Sequence, residues 1–261
     1  MKGIIMAGGA GTRLSPITIV VNKQLLPIYD KPLIYYPITT LMLAGIRDLL
    51  IITNSSDLPN YQKLIGDGTQ FGITVNYAIQ PSPAGIAEGV LISENYFHGN
   101  KIAFILGDNL FYGAGLGRQL AKYTDLNGAQ IFAYKVANPT GYGIVTLDSK
   151  GDVLQIEEKP VHPRSDLAVT GLYFYDEKVF DMAKKLKPSA RGELEITDLN
   201  KMYLEQGLLK VNLLPRGTAW LDTGTFEGLH DASTFIKITQ ERQNLNIGHP
   251  LEVARIQGWV D

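Results

Sequence analysis

Lys2-Gly3-Ile4-Ile5-Met6-Ala7-Gly8-Gly9-Ala10-Gly11-Thr12-Arg13-Leu14 opens the chain, and the rest of the sequence is read outward from it. Ile4 to Ala7 is a short apolar run of the kind buried in a parallel sheet. Three glycines within four residues follow it directly, and then an arginine. Glycine lacks a Cβ and tolerates positive φ, so backbone N–H groups can approach an anion closely. Arg13 adds a planar fork of donors matched to phosphate oxygens. The stretch reads either as a strand running into a phosphate-cradling loop or as a bare tight turn. It is not a Walker A loop, because no Gly-Lys-Ser/Thr occurs in the chain. Nor is it the dinucleotide fingerprint, since counting from Gly9 the sixth position is Leu14 rather than glycine.

At 261 residues, with 45% hydrophobic and 19% charged residues, the chain can bury a substantial core and has an ordinary globular composition. Its 24 basic and 26 acidic residues leave a net charge of −2, so no basic excess points to nucleic acid. The absence of cysteine excludes disulfides, thiol nucleophiles and cysteine-ligated metals. The four histidines, at 98, 162, 230 and 249, lack the spacing of zinc ligands. The chain does not start with a charged region and a long apolar stretch, and no apolar run nears the ~20 residues of a bilayer span. A cytoplasmic protein without membrane partners is expected.

The first half alternates strand-like and helix-like segments. Residues 33–45 read as a helix, 48–53 as a strand, 60–65 as a short helix and 73–79 as a strand. Residues 85–96 read as a helix, 101–106 as a buried strand, 116–124 as a helix and 130–136 as a strand. That alternation predicts crossover connections and an α/β fold with a mixed, mostly parallel sheet covered by helices on both faces. The second half differs: a hairpin over 143–147 and 153–158, an aromatic-rich strand over 168–175, and helices over 177–185 and 197–206. A strand over 208–214 and a helix over 225–240 complete it. With no repeat or low-complexity linker, residues 1–261 read as a single domain, a first part over 1–136 and an α+β elaboration over 137–261. Ligands of open α/β sheets sit outside the carboxyl ends of the strands. Residues 8–13, 80–83 and 107–109 each follow a strand, so they are expected to meet at one edge.

Asp108 ends an apolar strand, which aims its carboxylate beside the glycine loop. That placement suits Mg2+, a hard cation that takes carboxylate and phosphate oxygens, or equally a turn cap. Asp222, in Trp220-Leu221-Asp222-Thr223-Gly224-Thr225, is either a second ligand to the same metal or part of a loop before a helix cap. Lys23, Lys159 and Arg191 are candidate anion-binding cations; the alternative for each is a solvated surface charge.

Gly8-Gly9-Ala10-Gly11-Thr12-Arg13-Leu14 resembles the signature of the sugar-1-phosphate nucleotidylyltransferases. Among these, the glucose-1-phosphate thymidylyltransferases are resembled by Lys23-Gln24-Leu25-Leu26-Pro27-Ile28-Tyr29-Asp30-Lys31-Pro32, Leu106-Gly107-Asp108-Asn109 and Glu157-Glu158-Lys159-Pro160. Val169-Thr170-Gly171-Leu172-Tyr173-Phe174-Tyr175-Asp176, the run from Arg191 to Thr197, and Trp220-Leu221-Asp222-Thr223-Gly224 continue the match in order to about Asp261.

The resemblance implies a Rossmann-like mixed α/β fold with a sugar-binding portion in the second half. It implies transfer of a deoxythymidylyl group from dTTP to glucose 1-phosphate, giving dTDP-glucose and pyrophosphate, with Mg2+ as cofactor. Residue by residue, Ala7, Gly8, Gly9, Gly11, Thr12, Arg13, Gln24, Gln80, Pro83, Gly85 and Asp108 would hold the nucleotide. Asn109, Tyr142, Gly143, Glu158, Lys159, Val169, Tyr173, Arg191 and Trp220 would hold the sugar phosphate. Asp108 and Asp222 would bind the metal, and Arg13, Lys23 and Lys159 would act in catalysis. A homo-oligomer is also implied. A phosphate monoester is already ionised at neutral pH (second pKa about 6), so no general base is needed, in keeping with a chain lacking a histidine or cysteine cluster.

The sequence departs from the family's usual pattern at Ala84 and Glu88, where Asp and Gln are common, and at Asn22, where Ser is usual. The resemblance places Ala84 and Glu88 at the border of the base and ribose region. The chain is expected to be a short form, without the C-terminal helical segment that contributes a regulatory nucleotide site in longer members. UTP or another hexose 1-phosphate are the alternative substrates, and a catalytically silent nucleotide-sugar-binding protein is the alternative class. Intact Arg13, Lys23, Asp108, Lys159 and Asp222 favour an enzyme. A nucleotide-dependent oxidoreductase is excluded by the absent fingerprint.

Overall fold

A computed structural model of the protein describes residues 1–9 and 11–261; Ala10, within the glycine loop, lies outside the described residues. In chain order the strands are β1 (Lys2–Met6), β2 (Pro27–Ile28), β3 (Lys31–Pro32), β4 (Asp48–Thr53), β5 (Thr74–Ile79), β6 (Ile102–Leu106) and β7 (Asn109–Tyr112). They continue with β8 (Ala129–Lys135), β9 (Gly143–Leu147), β10 (Val153–Glu158), β11 (Leu167–Tyr175), β12 (Leu209–Leu213) and β13 (Ala219–Asp222). The helices are α1 (Tyr35–Leu43), α2 (Leu58–Ile65), α3 (Glu88–Phe97), α4 (Leu116–Ala121), α5 (Val179–Ala183), α6 (Ile196–Glu205), α7 (Phe226–Gln243) and α8 (Pro250–Ile256). Among the described residues, no helix is long and apolar enough to cross a membrane.

The chain forms two compact units that interleave in sequence. One holds residues 2–83, 105–122 and 217–261; the other holds residue 1 with 84–104 and 123–216.

In the first unit β4 pairs in parallel with β1 on one side and β5 on the other, in the register Ile4↔Leu50 and Leu50↔Asn76. Leu49, Leu50, Ile51 and Ile52 are all fully buried, as strands covered on both faces require, which is why these segments read as unbroken apolar runs. Parallel neighbours need crossovers, and α1 and α2 supply them. Helix α1 packs on α4, α8 and β7, and α7 packs on β2 and β13. Asp108 lies between β6 and β7, and β7 pairs antiparallel with β13 in the register Asn109↔Asp222, so a two-stranded ribbon joins residues far apart in sequence.

In the other unit β8 pairs antiparallel with β11 and parallel with β12, while β9 pairs with β10 and β11. Helix α6 lies against β10 and β12, and α3 against α5. The predicted α/β class, with a mixed sheet and covering helices, is the observed one. The register between β11 and β8 slips between Val169 and Tyr173, a bulge of the sort that re-aims side chains.

Candidate active site

The first unit collects the residues expected at the nucleotide and metal, except Gly85. Gly8 and Gln80 lie so close that a Cβ on Gly8 would stand 2.5 Å from Gln80 Oε1. Gln80, buried, is fixed by its own N–H to Thr53 O at 2.8 Å. Gly107 lies against Met6 O and the Gln24 side chain. The loops after β1, β5 and β6 therefore meet at one sheet edge, as strand order predicts. Gly11 has a left-handed φ of 60°, and its carbonyl accepts from Leu14 N at 2.8 Å and Thr18 Oγ1 at 2.9 Å. The loop thus closes into a short turn that carries Thr12 and the exposed Arg13.

Asp108 and Asp222 converge here. Thr223 donates to the Asp108 carbonyl through its N–H at 3.2 Å and its Oγ1 at 2.8 Å, holding the end of β13 to the start of β7. The Asp108 carboxylate is bound by the Lys23 ammonium and by Asn109 Nδ2 at 2.8 Å. Burial raises its pKa, but the Lys23 charge and hydrogen bond outweigh that and hold it below the usual carboxylate value. Asp222 is pushed the other way. Burial and then the charge of Asp108 raise it, against the opposing charges of Lys23 and Arg13. The two carboxylates repel, and one lysine serves chiefly one of them.

Hard oxygen donors of this kind fit Mg2+, which takes one or two carboxylates and completes its shell with substrate phosphate and water. Gln24 adds a second sign of a missing partner: its buried Oε1 accepts no hydrogen bond. A buried, unpaired acceptor is costly unless a ligand donor meets it. Sequence reasoning missed Gly224, where an added Cβ would lie 2.7 Å from Arg13 Nη2. Its N–H also holds Asp222 Oδ1 at 3.0 Å. The Asp-Thr-Gly spacing was the available signal. Asn109 and Trp220, expected at the sugar, are in this unit, joined by Trp220 Nε1 donating to Asn109 Oδ1 at 2.6 Å. Pro83 closes the unit's segment after Gln80.

The other unit collects Gly85, Tyr142, Gly143, Glu158, Lys159, Val169, Tyr173 and Arg191. Glu158 pairs in register with Gly143, and its Oε2 accepts from Thr197 Oγ1 at 2.5 Å. Thr197 is a further residue that sequence reasoning left out. Lys159 N donates to Tyr142 O at 3.0 Å, but its φ of 42° is left-handed for a residue with a Cβ, and proline follows. Strain of this kind concentrates at functional positions. Val169 and Tyr173 flank the β11 bulge, and Tyr173 stacks on Tyr175 with centroids 6.2 Å apart.

Arg191 is occupied by acids: both Glu195 oxygens at 2.9 Å, with Glu193 at 3.3 Å and Glu158 at 3.6 Å. It borders a cavity of about 620 Å³ rich in carboxylates, and its Nη1 is left for a ligand. Gly85, at φ 111°, lies against the Leu194 backbone with no room for a Cβ, while Leu194 N donates to Ala84 O at 2.8 Å and Ala87 N to Leu194 O at 3.0 Å.

The chain matches the nucleotidyl transferase family model over residues 2–239. It is 53% identical, over its whole length and 91% of the other chain, to the glucose-1-phosphate thymidylyltransferase of Mycobacterium tuberculosis. A Bacillus anthracis protein assigned to the glucose-1-phosphate thymidylyltransferases and solved with a sucrose superposes with a TM-score of 0.86. That pair is 38% identical and covers 97% of this chain and 99% of that one. A UDP-glucose pyrophosphorylase solved with UDP-glucose gives a TM-score of 0.80 at 26% identity, covering 91% and 98%. The glycine loop, the paired aspartates and these likenesses agree, and the chain belongs to the nucleotidyl transferase family, among the glucose-1-phosphate thymidylyltransferases.

Proposed function

We propose that the protein transfers the deoxythymidylyl group of dTTP to glucose 1-phosphate, releasing pyrophosphate and dTDP-glucose. The observation that carries the mechanism is the convergence of Asp108 and Asp222 beside Lys23, Arg13 and the glycine loop. An oxygen of the sugar phosphate attacks the α-phosphorus in line, and pyrophosphate leaves with the electron pair of the broken P–O bond. Mg2+, held by Asp108 and Asp222 when bound, would supply positive charge to the phosphate oxygens as they reorganise.

The chain's own residues do the rest by positioning and charge. The backbone of Gly8, Gly9, Gly11 and Thr12 cradles the triphosphate, and Arg13, exposed at the loop, meets charge that develops on the phosphates. Lys23 holds Asp108 ionised, so that acid is ready to bind a cation at neutral pH. By resemblance Gln80, with the backbone of Ala7, Pro83 and Gly85, would meet the base, and Gln24, whose buried Oε1 has no hydrogen-bond donor, would contact the nucleotide. Lys159, with the free edge of Arg191, binds the sugar phosphate. By resemblance Glu158, Tyr142, Gly143, Val169 and Tyr173 of one unit, and Asn109 and Trp220 of the other, would contact the sugar phosphate. The thymidylyl assignment rests on relatives 53% identical, against 26% for the UDP-glucose enzyme.

A pyrophosphate-release assay crossing dTTP, UTP, ATP, CTP and GTP with several hexose 1-phosphates tests the reading. The highest kcat/KM is expected for dTTP with glucose 1-phosphate and Mg2+. A preference for UTP moves the protein to uridylyl transfer, and no turnover with any pair makes it a silent binder.

A further inference from the structure

The amide of Asn22 touches neither aspartate of the site, yet its whole hydrogen-bonding capacity is used. Nδ2 donates to Asp57 Oδ2 at 2.6 Å and to Ala7 O at 3.4 Å. Oδ1 accepts from Gln24 N at 3.0 Å and from the Tyr61 hydroxyl at 2.8 Å. A carboxamide has two N–H donors and two acceptor lone pairs, so nothing is left over. Each partner lies at a place that matters. Gln24 N belongs to the turn Lys23–Leu25, which Asn22 caps. Ala7 is the last residue before the glycine loop.

Asp57 and Tyr61 anchor the far side. Asp57 Oδ2 is also held by Asn54 Nδ2 at 2.6 Å, and Tyr61 is fully buried in α2. Burial and the Asp57 charge raise the Tyr61 pKa, which keeps its hydroxyl protonated and donating. Lys23 follows Asn22 directly. Its side chain is only 7% exposed, and its four-carbon stem must be aimed from the backbone to reach Asp108.

We propose that Asn22 is a positioning residue for Lys23: its amide locks the turn carrying Lys23 to the end of β1 and to the Asp57–Tyr61 pair. The inference rests on the part assigned to Lys23 above. Serine at this position would keep the cap to Gln24 N but is too short to span to Asp57 as well. Alanine keeps neither.

The test is a double-mutant cycle of Asn22→Ala with Lys23→Met, read by steady-state pyrophosphate release and thermal melting. Alone, Asn22→Ala is expected to lower kcat about ten- to a hundredfold, the scale of a small misplacement, with KM for dTTP within about threefold. In the Lys23→Met background its cost is expected to fall below about twofold, because nothing remains for it to position. Asn22→Ser and Tyr61→Phe should give smaller losses that vanish in the same background, and they carry the cycle if Asn22→Ala does not fold. A Lys23→Met enzyme with wild-type kcat removes the role of Lys23, and this inference with it. A slow Lys23→Met enzyme in which Asn22→Ala still costs its full factor removes the inference alone.

Discussion

The Lys23 ammonium is bound to Asp108 and not to Asp222, so two neighbouring carboxylates in one site carry pKa shifts of opposite sign. Either substitution to asparagine is expected to lower kcat at least about a hundredfold, the scale of losing one fixed electrostatic partner. Their melting temperatures should separate them. In EDTA, Asp222→Asn removes a repelled carboxylate and is expected to melt above the wild type. Asp108→Asn leaves the buried Lys23 without its anion and should cost about 1–3 kcal/mol. Calorimetry of both variants with and without Mg2+ checks the pair; equal shifts would contradict the asymmetry.

Gly224 bounds the space that Arg13 occupies, with 2.7 Å between an added Cβ and Arg13 Nη2. Gly224→Ala should therefore displace the guanidinium and reproduce part of Arg13→Ala. We expect Arg13→Ala to lower kcat about a hundredfold, and Gly224→Ala about tenfold, each with KM little changed. Raised KM with unchanged kcat in Arg13→Ala would make the arginine a binding group only.

Lys159 combines a charge with a strained backbone at φ 42°. Comparing Lys159→Gly with Lys159→Met separates the two. Both lose the ammonium, and KM for glucose 1-phosphate should rise about tenfold or more in each. Only glycine adopts this φ freely, so Lys159→Gly is expected to be more stable than Lys159→Met by about 1 kcal/mol in urea unfolding.

Lys31, buried in the β2–β3 ribbon, is clasped by Asp30 Oδ1 at 2.5 Å and Gln240 Oε1 at 3.0 Å, pinning α7. Burial raises the Asp30 pKa, but Lys31 and Gln240 bring it below the ordinary 3.8. The folded protein then binds this proton less readily than the unfolded chain. Its contribution is present above pH 3.8 and is lost as pH falls through the lower folded value. Asp30→Asn should cost under about 1 kcal/mol at neutral pH, since the group is partly exposed, and the gap to wild type should close on acidification. A gap that widens in acid would reverse the sign.

The parallel core was legible because strands buried on both faces must be apolar throughout, and β4 falls where that pattern puts it; the antiparallel β9–β10 hairpin was legible from the turn residues between its strands. The meeting of the glycine loop, Gln80 and Asp108 followed from strand order. The β7–β13 ribbon was not legible. Its strands are four residues each and pair across more than 100 positions, so no local period announces them. The short helix α8 was missed although its buried Pro250, Val253 and Ala254 stand at helical spacing, because seven residues give too short a run for the period to stand out. The Lys159 φ, the β11 bulge and the Asn22 amide arise from tertiary fit, which leaves no mark in a single sequence. Arg191 was found, but the acids that occupy it were not.

The Leu194 backbone threads between Ala84 and Ala87, accepting from one and donating to the other, over a Gly85 that leaves no clearance. The segment of Ala84 to Ala87 and the segment bearing Arg191 are thereby stitched into one strap. Four backbone groups make that join, so it is indifferent to side-chain substitution along the strap except at Gly85, where any Cβ would collide with the Leu194 backbone.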